Sequence, residues 1–285
     1  MKPQWLKIEL SRNDNFDNID NTLKKYNLHT VCQEAHCPNI SECWNGGTAT
    51  FMVMGDTCTR GCRFCAVKTG KPLALDKDEP HKLAQAIKEW GLDYIVITSV
   101  DRDDLPDQGA QHFASCIQEV RKENPDILIE VLIPDFRGGE DCIKIIVDAG
   151  PDVLAHNIET IKRLQNIRDV RANYQQSLFV LRKAKELGAK YTKSSLMLGL
   201  GESEEEIIEA MGDLRKAGVD IITFGQYLRP SSKHIQVGEY VHPAKFQYYK
   251  ELADNMGFLY CASGPFVRSS YKAGELFLKG LMKGV

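Results

Sequence analysis

The eight residues Cys58-Thr59-Arg60-Gly61-Cys62-Arg63-Phe64-Cys65 constrain this chain more than any other stretch. Three cysteines separated by three and then two residues, around a glycine, make a loop short enough to bring three thiolates to three corners of one iron–sulfur cubane. Three protein ligands leave the fourth iron open to a molecule that arrives and leaves. A cluster that only carries electrons is usually closed by four protein ligands. An open iron therefore points to chemistry on a bound molecule.

Six of the nine cysteines lie between residues 32 and 65, the second set being Cys32, Cys37 and Cys43 in a C-x4-C-x5-C spacing. Pro38 and Asn39 put a turn inside it, and Trp44 follows its last member. Taken alone this set suits a small zinc site, with His36 as an awkward fourth ligand beside Cys37, as well as it suits a second cluster. Beside the first triplet, a second iron–sulfur cluster is the better reading. Cys116 continues the set Phe113, Ile117, Val120, and Cys142 the set Ile145, Ile146, Ala149, so each belongs to an apolar helix face. These two and Cys261 are expected as buried thiols. Two four-iron clusters present eight irons and six cysteines fill six of them. With one vacancy kept for the exchangeable ligand, the other asks for a residue that is not cysteine.

A chain of 285 residues that is 43% hydrophobic can bury one large core. Its 36 basic and 39 acidic residues are interspersed, which gives no basic face for nucleic acid. Met1 to Leu6 lack the apolar centre of a signal peptide and the Arg/Ser-rich make-up of a transit peptide. No apolar run approaches the roughly 20 residues that span a bilayer. A soluble, cytoplasmic protein without nucleic-acid or membrane partners is expected. In that compartment cysteines are ligands or buried thiols rather than disulfides.

Residues 1–47 read as an irregular leader: a polar run from Arg12 to Asn21, a short helix around Asn21 to Tyr26, then the second triplet. From residue 48 strands and helices alternate. Strands are expected at Thr50–Met54, Tyr94–Thr98, Ile127–Leu132, Val153–Ala155, Thr192–Leu198 and Ile221–Phe224. Helices are expected at Asp78–Trp90, Gly109–Lys122, Glu140–Ala149, around Thr160, at Tyr174–Leu187 and at Ser203–Ala217, where Ser203-x-x-Glu206 is a capping box. This predicts an α/β protein: a partial (β/α)6 TIM-type barrel over residues 48–230, with extensions 1–47 and 231–285 closing its mouth. Past Gln226 the alternation is expected to stop, leaving a polar loop, a helix around Pro243 to Met256 and an irregular tail.

In such barrels the carboxyl ends of the strands carry the site. Asp101, Asp103 and Asp104 surround Arg102 after the second strand. After the fourth, in His156-Asn157-Ile158-Glu159-Thr160, Asn157 can donate and accept and Glu159 suits an ammonium or a ribose. Arg171 could grip a carboxylate with both arms, although a helix cap with a surface ion pair explains these residues equally well. Met197-Leu198-Gly199-Leu200-Gly201-Glu202 ends the fifth strand, with glycines that would let an adenine approach the backbone. Arg229 ends the sixth, and with Lys233 and His234 is a candidate for contact with a carrier protein.

The first triplet, with Phe64 before its last cysteine, resembles the signature of radical S-adenosylmethionine (SAM) enzymes, in which the methionine end of SAM chelates the open iron. Both triplets together, with Cys37-Pro38-Asn39-Ile40-Ser41-Glu42-Cys43-Trp44, His156-Asn157-Ile158-Glu159-Thr160 and Arg268-Ser269-Ser270-Tyr271, resemble the lipoyl synthase family. The likeness runs from Lys2-Pro3-x-Trp5-Leu6 to the tail; Gln108, where a glycine pair is usual, and Gln236, in place of a common proline, depart from it. It implies two [4Fe–4S] clusters: Cys58, Cys62 and Cys65 hold the SAM cluster, and Cys32, Cys37 and Cys43 hold an auxiliary cluster whose fourth iron is ligated by Ser270. A serine oxygen is a hard, readily displaced ligand on a cluster that prefers thiolate. With SAM as the bound molecule, the strand-end residues Asn157, Glu159, Arg171, Met197, Gly199, Gly201 and Glu202 are the candidate SAM contacts.

The implied reaction inserts two sulfur atoms, donated by the auxiliary cluster, at C6 and C8 of a protein-bound octanoyl chain, with two SAM per lipoyl group. The implied partners are octanoylated lipoyl carrier domains, namely 2-oxoacid dehydrogenase E2 subunits and the glycine cleavage H protein, and a reductant such as flavodoxin or ferredoxin. Two rivals stand beside this reading. One is a radical SAM enzyme whose second cluster relays electrons or binds substrate; the other is a zinc-stapled binding module without catalysis.

Overall fold

The leader is more helical than its polarity suggests. In the computed structural model, which describes residues 3–7, 11–46 and 48–270, helix α1 runs from Asp14 to Tyr26 rather than starting near Asn21. The Asn13 side chain accepts the Phe16 N–H and starts the helix, as an N-cap does. Phe16, Ile19 and Leu23 then bury one face while the polar residues of the run face water. Strand β1 (His29–Thr30) and the short helices α2 (Val31–Glu34) and α3 (Ile40–Asn45) follow. Tyr271, which closes the Arg268–Tyr271 motif, lies outside the described residues with the rest of the tail.

The alternation begins with β2 (Thr50–Val53), after which β3 (Thr57–Cys58) and β4 (Lys68–Thr69) pair around the first cysteine loop. Then come α4 (Glu79–Trp90), β5 (Tyr94–Ser99), α5 (Ala110–Glu123), β6 (Leu128–Leu132), α6 (Glu140–Asp148) and β7 (Val153–Ala155). A 3-10 turn at Lys162–Ile167 stands where a helix around Thr160 is expected. It leads to α7 (Tyr174–Glu186), β8 (Tyr191–Leu198), α8 (Glu204–Lys216) and β9 (Ile221–Gln226). The Ser203–Glu206 capping box is formed in both directions.

The alternation does not stop at Gln226. Helix α9 (Pro243–Asn255) returns the chain to β10 (Tyr260–Gly264), which pairs in parallel with β9 from Tyr260↔Ile221 to Gly264↔Gly225. This strand stands where an irregular tail is expected; Tyr-Cys-Ala-Ser-Gly has no β-branched residue, and the free edge of β9 supplies the order instead. The sheet runs β1-β2-β5-β6-β7-β8-β9-β10, parallel from β2 to β10 with β1 antiparallel at the edge. Among the described residues no ladder joins β1 to β10, so the barrel is partial and has an open seam.

Helices α4 to α9 cover the outer face, and Cys116 and Cys261 are buried there, whereas Cys142 is only half-buried. Near the amino ends of the strands, Lys193 reaches both Glu130 oxygens at 2.8 Å from across β7, and Tyr94 donates to the same carboxylate at 2.5 Å. This pair leaves the other end of the strands as the open one. Among the described residues no helix is long and apolar enough to cross a membrane.

Candidate active site

The first cysteine loop hangs from β2 through Met54 and Gly55, both in left-handed conformations at φ 70° and 92°. A non-glycine residue holds that conformation only when its surroundings insist on it. At Met54 the Glu79 carboxylate accepts the backbone N–H with both oxygens, at 2.9 and 3.1 Å, and His112 Nε2 lies 2.6 Å from Glu79. Glu79, His112 and Cys116 bring three ligand atoms within 4.8 Å of one another. The Glu79 oxygens there are already occupied by Met54 and His112.

Four strand ends grip the loop. The Arg60 guanidinium sits between Asp135, both nitrogens at 2.7 Å, and Asp103, both at 3.0 Å, with Asp101 at 3.2 Å. Burial pulls its pKa down, but these carboxylates carry it well above the ordinary arginine value. Asp169 accepts the Gly61 N–H at 2.9 Å, Ile167 O accepts from Arg63, and Arg171 reaches Thr59 O at 2.8 Å. From the loop after β9, His234 Nε2 lies 3.0 Å from Cys65 O, and the Ile235 N–H donates to Arg63 O. The acids Asp101 and Asp103 thus anchor the loop.

Backbone N–H groups point at the sulfurs. Those of Arg60 and Asp101 approach Cys58 Sγ at 3.4 Å, and that of Asp169 approaches Cys62 Sγ at 3.3 Å. Without cations the thiols resist ionisation: burial pushes Cys58 up to about 12, helped by Asp101, and Cys62 up to about 12. Burial also lifts Cys65 to about 11. Three buried thiols, two of them facing N–H donors set to stabilise thiolate, yet too buried to ionise alone, fit a cationic cluster that deprotonates its ligands on binding.

The second set is built from local turns. Cys32 lies in α2, capped by Thr30, and Cys43 in α3; between them His36 turns at φ 51° and Cys37 donates its N–H to Cys32 O. Burial raises the Cys32 thiol to about 11 and also raises Cys37. Arg268 faces Cys37 and Cys43; burial lowers its pKa and the two thiols oppose that. Its guanidinium donates to Pro265 O and Val267 O, and among the described residues no carboxylate pairs with it, so it would suit the anionic sulfur of a bound cluster. Asn39 Nδ2 donates to Phe266 O at 2.6 Å, and Thr50 Oγ1 to Ser270 Oγ at 2.9 Å.

Both triplets, Ser269, Ser270 and Arg268 line one cavity of about 550 Å³, together with Asn157, Glu159 and Met197. Asn157 donates to Glu159 at 3.1 Å, while its Oδ1 and the Ser99 hydroxyl are buried without a partner. Orphaned polar atoms on a cavity wall mark where a ligand's donors would sit. Burial raises the Glu159 carboxyl. Neighbouring His156 is buried and pushed down to about 4 by that burial, hence neutral. Its Nδ1 faces Ile133 O and its Nε2 faces Ser177 Oγ, each at 2.9 Å, and Ser177 accepts from Arg168 at 2.8 Å.

Other residues expected to contact SAM sit elsewhere. Arg171 is spent on Asp169, Thr59 and Asp103 and does not line the cavity. The Glu202 carboxylate accepts the N–H groups of Gly199 and Leu200, at 2.5 and 2.8 Å, closing a turn after β8. A Cβ on Gly199 would meet Glu239 O at 2.2 Å and Gln226 Nε2 at 2.3 Å, so the close neighbour there is protein and not an adenine. Gly201 stands at φ 103° in the same turn. Arg229 lines the cavity but gives its guanidinium to His234 O and Ser232 O. Ser99 and Thr50 also belong to the site; Ser99 ends a strand among polar residues, a usable signal in sequence, while Thr50 carries none.

Residues 52–225 match the radical SAM superfamily, and residues 1–37 match the N-terminal domain of lipoyl synthase of that family. The chain is 56% identical over 288 residues to lipoyl synthase of Halobacterium salinarum, covering 99% of this chain and 93% of that one. It is 57% identical to the apicoplast lipoyl synthase of Plasmodium falciparum, with 99% and 68% covered, and 54% identical to the mitochondrial one of Danio rerio, with 99% and 72% covered. In fold alone it is similar to Streptococcus suis SuiB bound to precursor peptide SuiA (TM-score 0.58, 13% identity, 90% of this chain and 56% of that one). It is likewise similar to methylornithine synthase PylB (TM-score 0.51, 14% identity, 96% and 69%).

Proposed function

The chain belongs to the lipoyl synthase family of the radical SAM superfamily, and from that membership we propose that it inserts sulfur at C6 and C8 of an octanoyl chain held on a lysine of a lipoyl carrier domain. It is a radical SAM enzyme that forms the lipoyl group, and its family implies SAM and a [4Fe–4S] cluster. In our reading Cys58, Cys62 and Cys65 hold the SAM cluster. Cys32, Cys37, Cys43 and Ser270 hold a second one that donates the sulfur. When bound, these groups supply a 5′-deoxyadenosyl radical that takes an unactivated hydrogen, and the sulfur that replaces it.

One observation carries the proposal: both triplets and Ser270 open on a single cavity. Two cluster sites serving separate tasks would not need a shared space. Asn157, Glu159 and Met197 on its wall are the proposed SAM contacts, with Arg171 acting from behind through Asp169 and Thr59 O. The wall also carries Val31, Met52, Leu132, Ile133, Leu196 and Val267, apolar surface suited to an eight-carbon chain. The protein's part is placement and exclusion of water, since no side-chain base could take such a hydrogen as a proton.

Carrier domains of 2-oxoacid dehydrogenase E2 subunits and of the glycine cleavage H protein would present the octanoyl chain, and flavodoxin or ferredoxin would supply electrons. Incubation with an octanoylated lysine peptide, SAM and reductant should yield product heavier by two sulfurs, with two 5′-deoxyadenosines formed. Sulfide in the second cluster should fall over one turnover. A cluster that keeps all its sulfide while lipoyl product forms would sink the donor assignment in favour of an electron relay.

A further inference from the structure

The segment after β10 crosses the open seam of the barrel. It leaves the β10 edge at Gly264 and passes over the end of β9, where a Cβ on Gly225 would meet Val267 O at 2.0 Å. It ends at Ser270 against Thr50, the first residue of β2 on the far side of the seam. Thr50 is 4% exposed. Its backbone N–H faces the Cys32 sulfur, and its hydroxyl donates to Ser270 Oγ at 2.9 Å. The Asn39–Phe266 hydrogen bond ties the same segment to the turn between Cys37 and Cys43.

Building on the reading that Ser270 is the fourth ligand of the auxiliary cluster, we propose that Thr50 is the positioning residue for that ligand. A serine oxygen that accepts one hydrogen bond keeps a further lone pair for a metal. Groups that orient a ligand from behind are worth about 10- to 100-fold in metal affinity. The backbone N–H of the same residue faces Cys32, so one strand end meets both a permanent and a releasable ligand. Ser270 sits at the end of a segment that β2 must receive, and Thr50 is the receiving group.

The test uses reconstituted, iron-57-loaded full-length protein and Mössbauer spectroscopy of the auxiliary cluster. The wild type should show one iron with the signature of oxygen ligation. Ser270→Ala should lose that signature. The near-isosteric Thr50→Val should lose it too and release iron to a chelator about tenfold faster, whereas Thr50→Ser, which keeps the hydroxyl, should restore both. If Ser270→Ala keeps the wild-type spectrum, the serine is no ligand and the proposal falls with that reading. If Ser270→Ala loses the signature while Thr50→Val keeps it, the ligand reading stands and the Thr50 role alone is overturned. Loss in both Thr50→Val and Thr50→Ser, with thermal midpoints matching wild type, also overturns it, because the hydroxyl would then not be the cause.

Discussion

The two cysteine sites share a cavity and a ligand type, but they are held in opposite ways. The loop from Cys58 to Cys65 is clamped by residues from four strand ends, with Arg60 between two carboxylates and N–H donors on two sulfurs. The set from Cys32 to Cys43 rests on two short helices, and one side-chain hydrogen bond, from Asn39 to Phe266 O, connects it with the chain 227 residues further on. A site that makes a radical in every turnover needs fixed geometry. A site proposed to give up atoms is better served by ligands that can part. The contrast in anchoring matches the contrast in proposed fate.

The comparison breaks most openly at the ligands themselves. Cys58→Ala should abolish both SAM cleavage and lipoyl formation, whereas Cys43→Ala should lose sulfur insertion yet still release 5′-deoxyadenosine with dithionite. Lipoyl formation retained in Cys43→Ala would end the division of labour. Arg60→Leu comes next, because it leaves the Asp135 carboxylate buried without its cation, while Asp103 keeps Arg137 and Arg171. Removing one member of a buried pair costs about 3–5 kcal/mol, to be read as a lower denaturation midpoint of the apoprotein. A cost near zero would mean that the charge cage is incidental.

A pH titration sharpens the picture of the SAM side. His156 has a folded pKa near 4 against an ordinary 6.5. The folded state refuses a proton that the unfolded state takes, so this contribution is intact above pH 6.5 and is lost as pH falls towards 4. At about 1.4 kcal/mol per unit the loss is about 3 kcal/mol. In apoprotein urea curves at pH 7 and pH 4.5, His156→Gln should remove most of the excess pH dependence. The smallest effect is expected on the second site: Asn39→Ala should cost about 1–2 kcal/mol and speed proteolysis after residue 264. An unchanged cleavage rate would mean that Asn39 does not fasten the tail.

Residue types and short spacings carried much of this protein in plain view. C-x3-C-x2-C and C-x4-C-x5-C declare two ligand sets because neighbouring cysteines can meet only locally. The six central strands were legible from apolar runs such as Tyr94-Ile95-Val96-Ile97. Helix α1 was read too short, since Phe16 and Ile19 are sparse among acids and amides and only the Asn13 cap marks the true start. Strand β10 was missed because its residues have no strand character without the edge of β9 beside them. Arg171 and Glu202 look like ligand-binding groups in sequence. Their polar atoms are consumed by Asp169 and by the backbone of Gly199 and Leu200, partners that only folding reveals.

What the sequence determined alone was chemistry: thiolate ligands, their grouping in threes, an α/β alternation to carry them, and the likeness that names the family. These follow from side-chain identity and from separations of a few residues, which survive in any conformation of the chain. What the tertiary structure decided was assembly. The order of strands in an open sheet puts β10 on one side of a seam and β2 on the other, and so brings Ser270 to Thr50 and both triplets to one cavity. Contacts between residues this distant depend on closing long loops against chain entropy, and that closure is supplied by the packed barrel and not by any local motif.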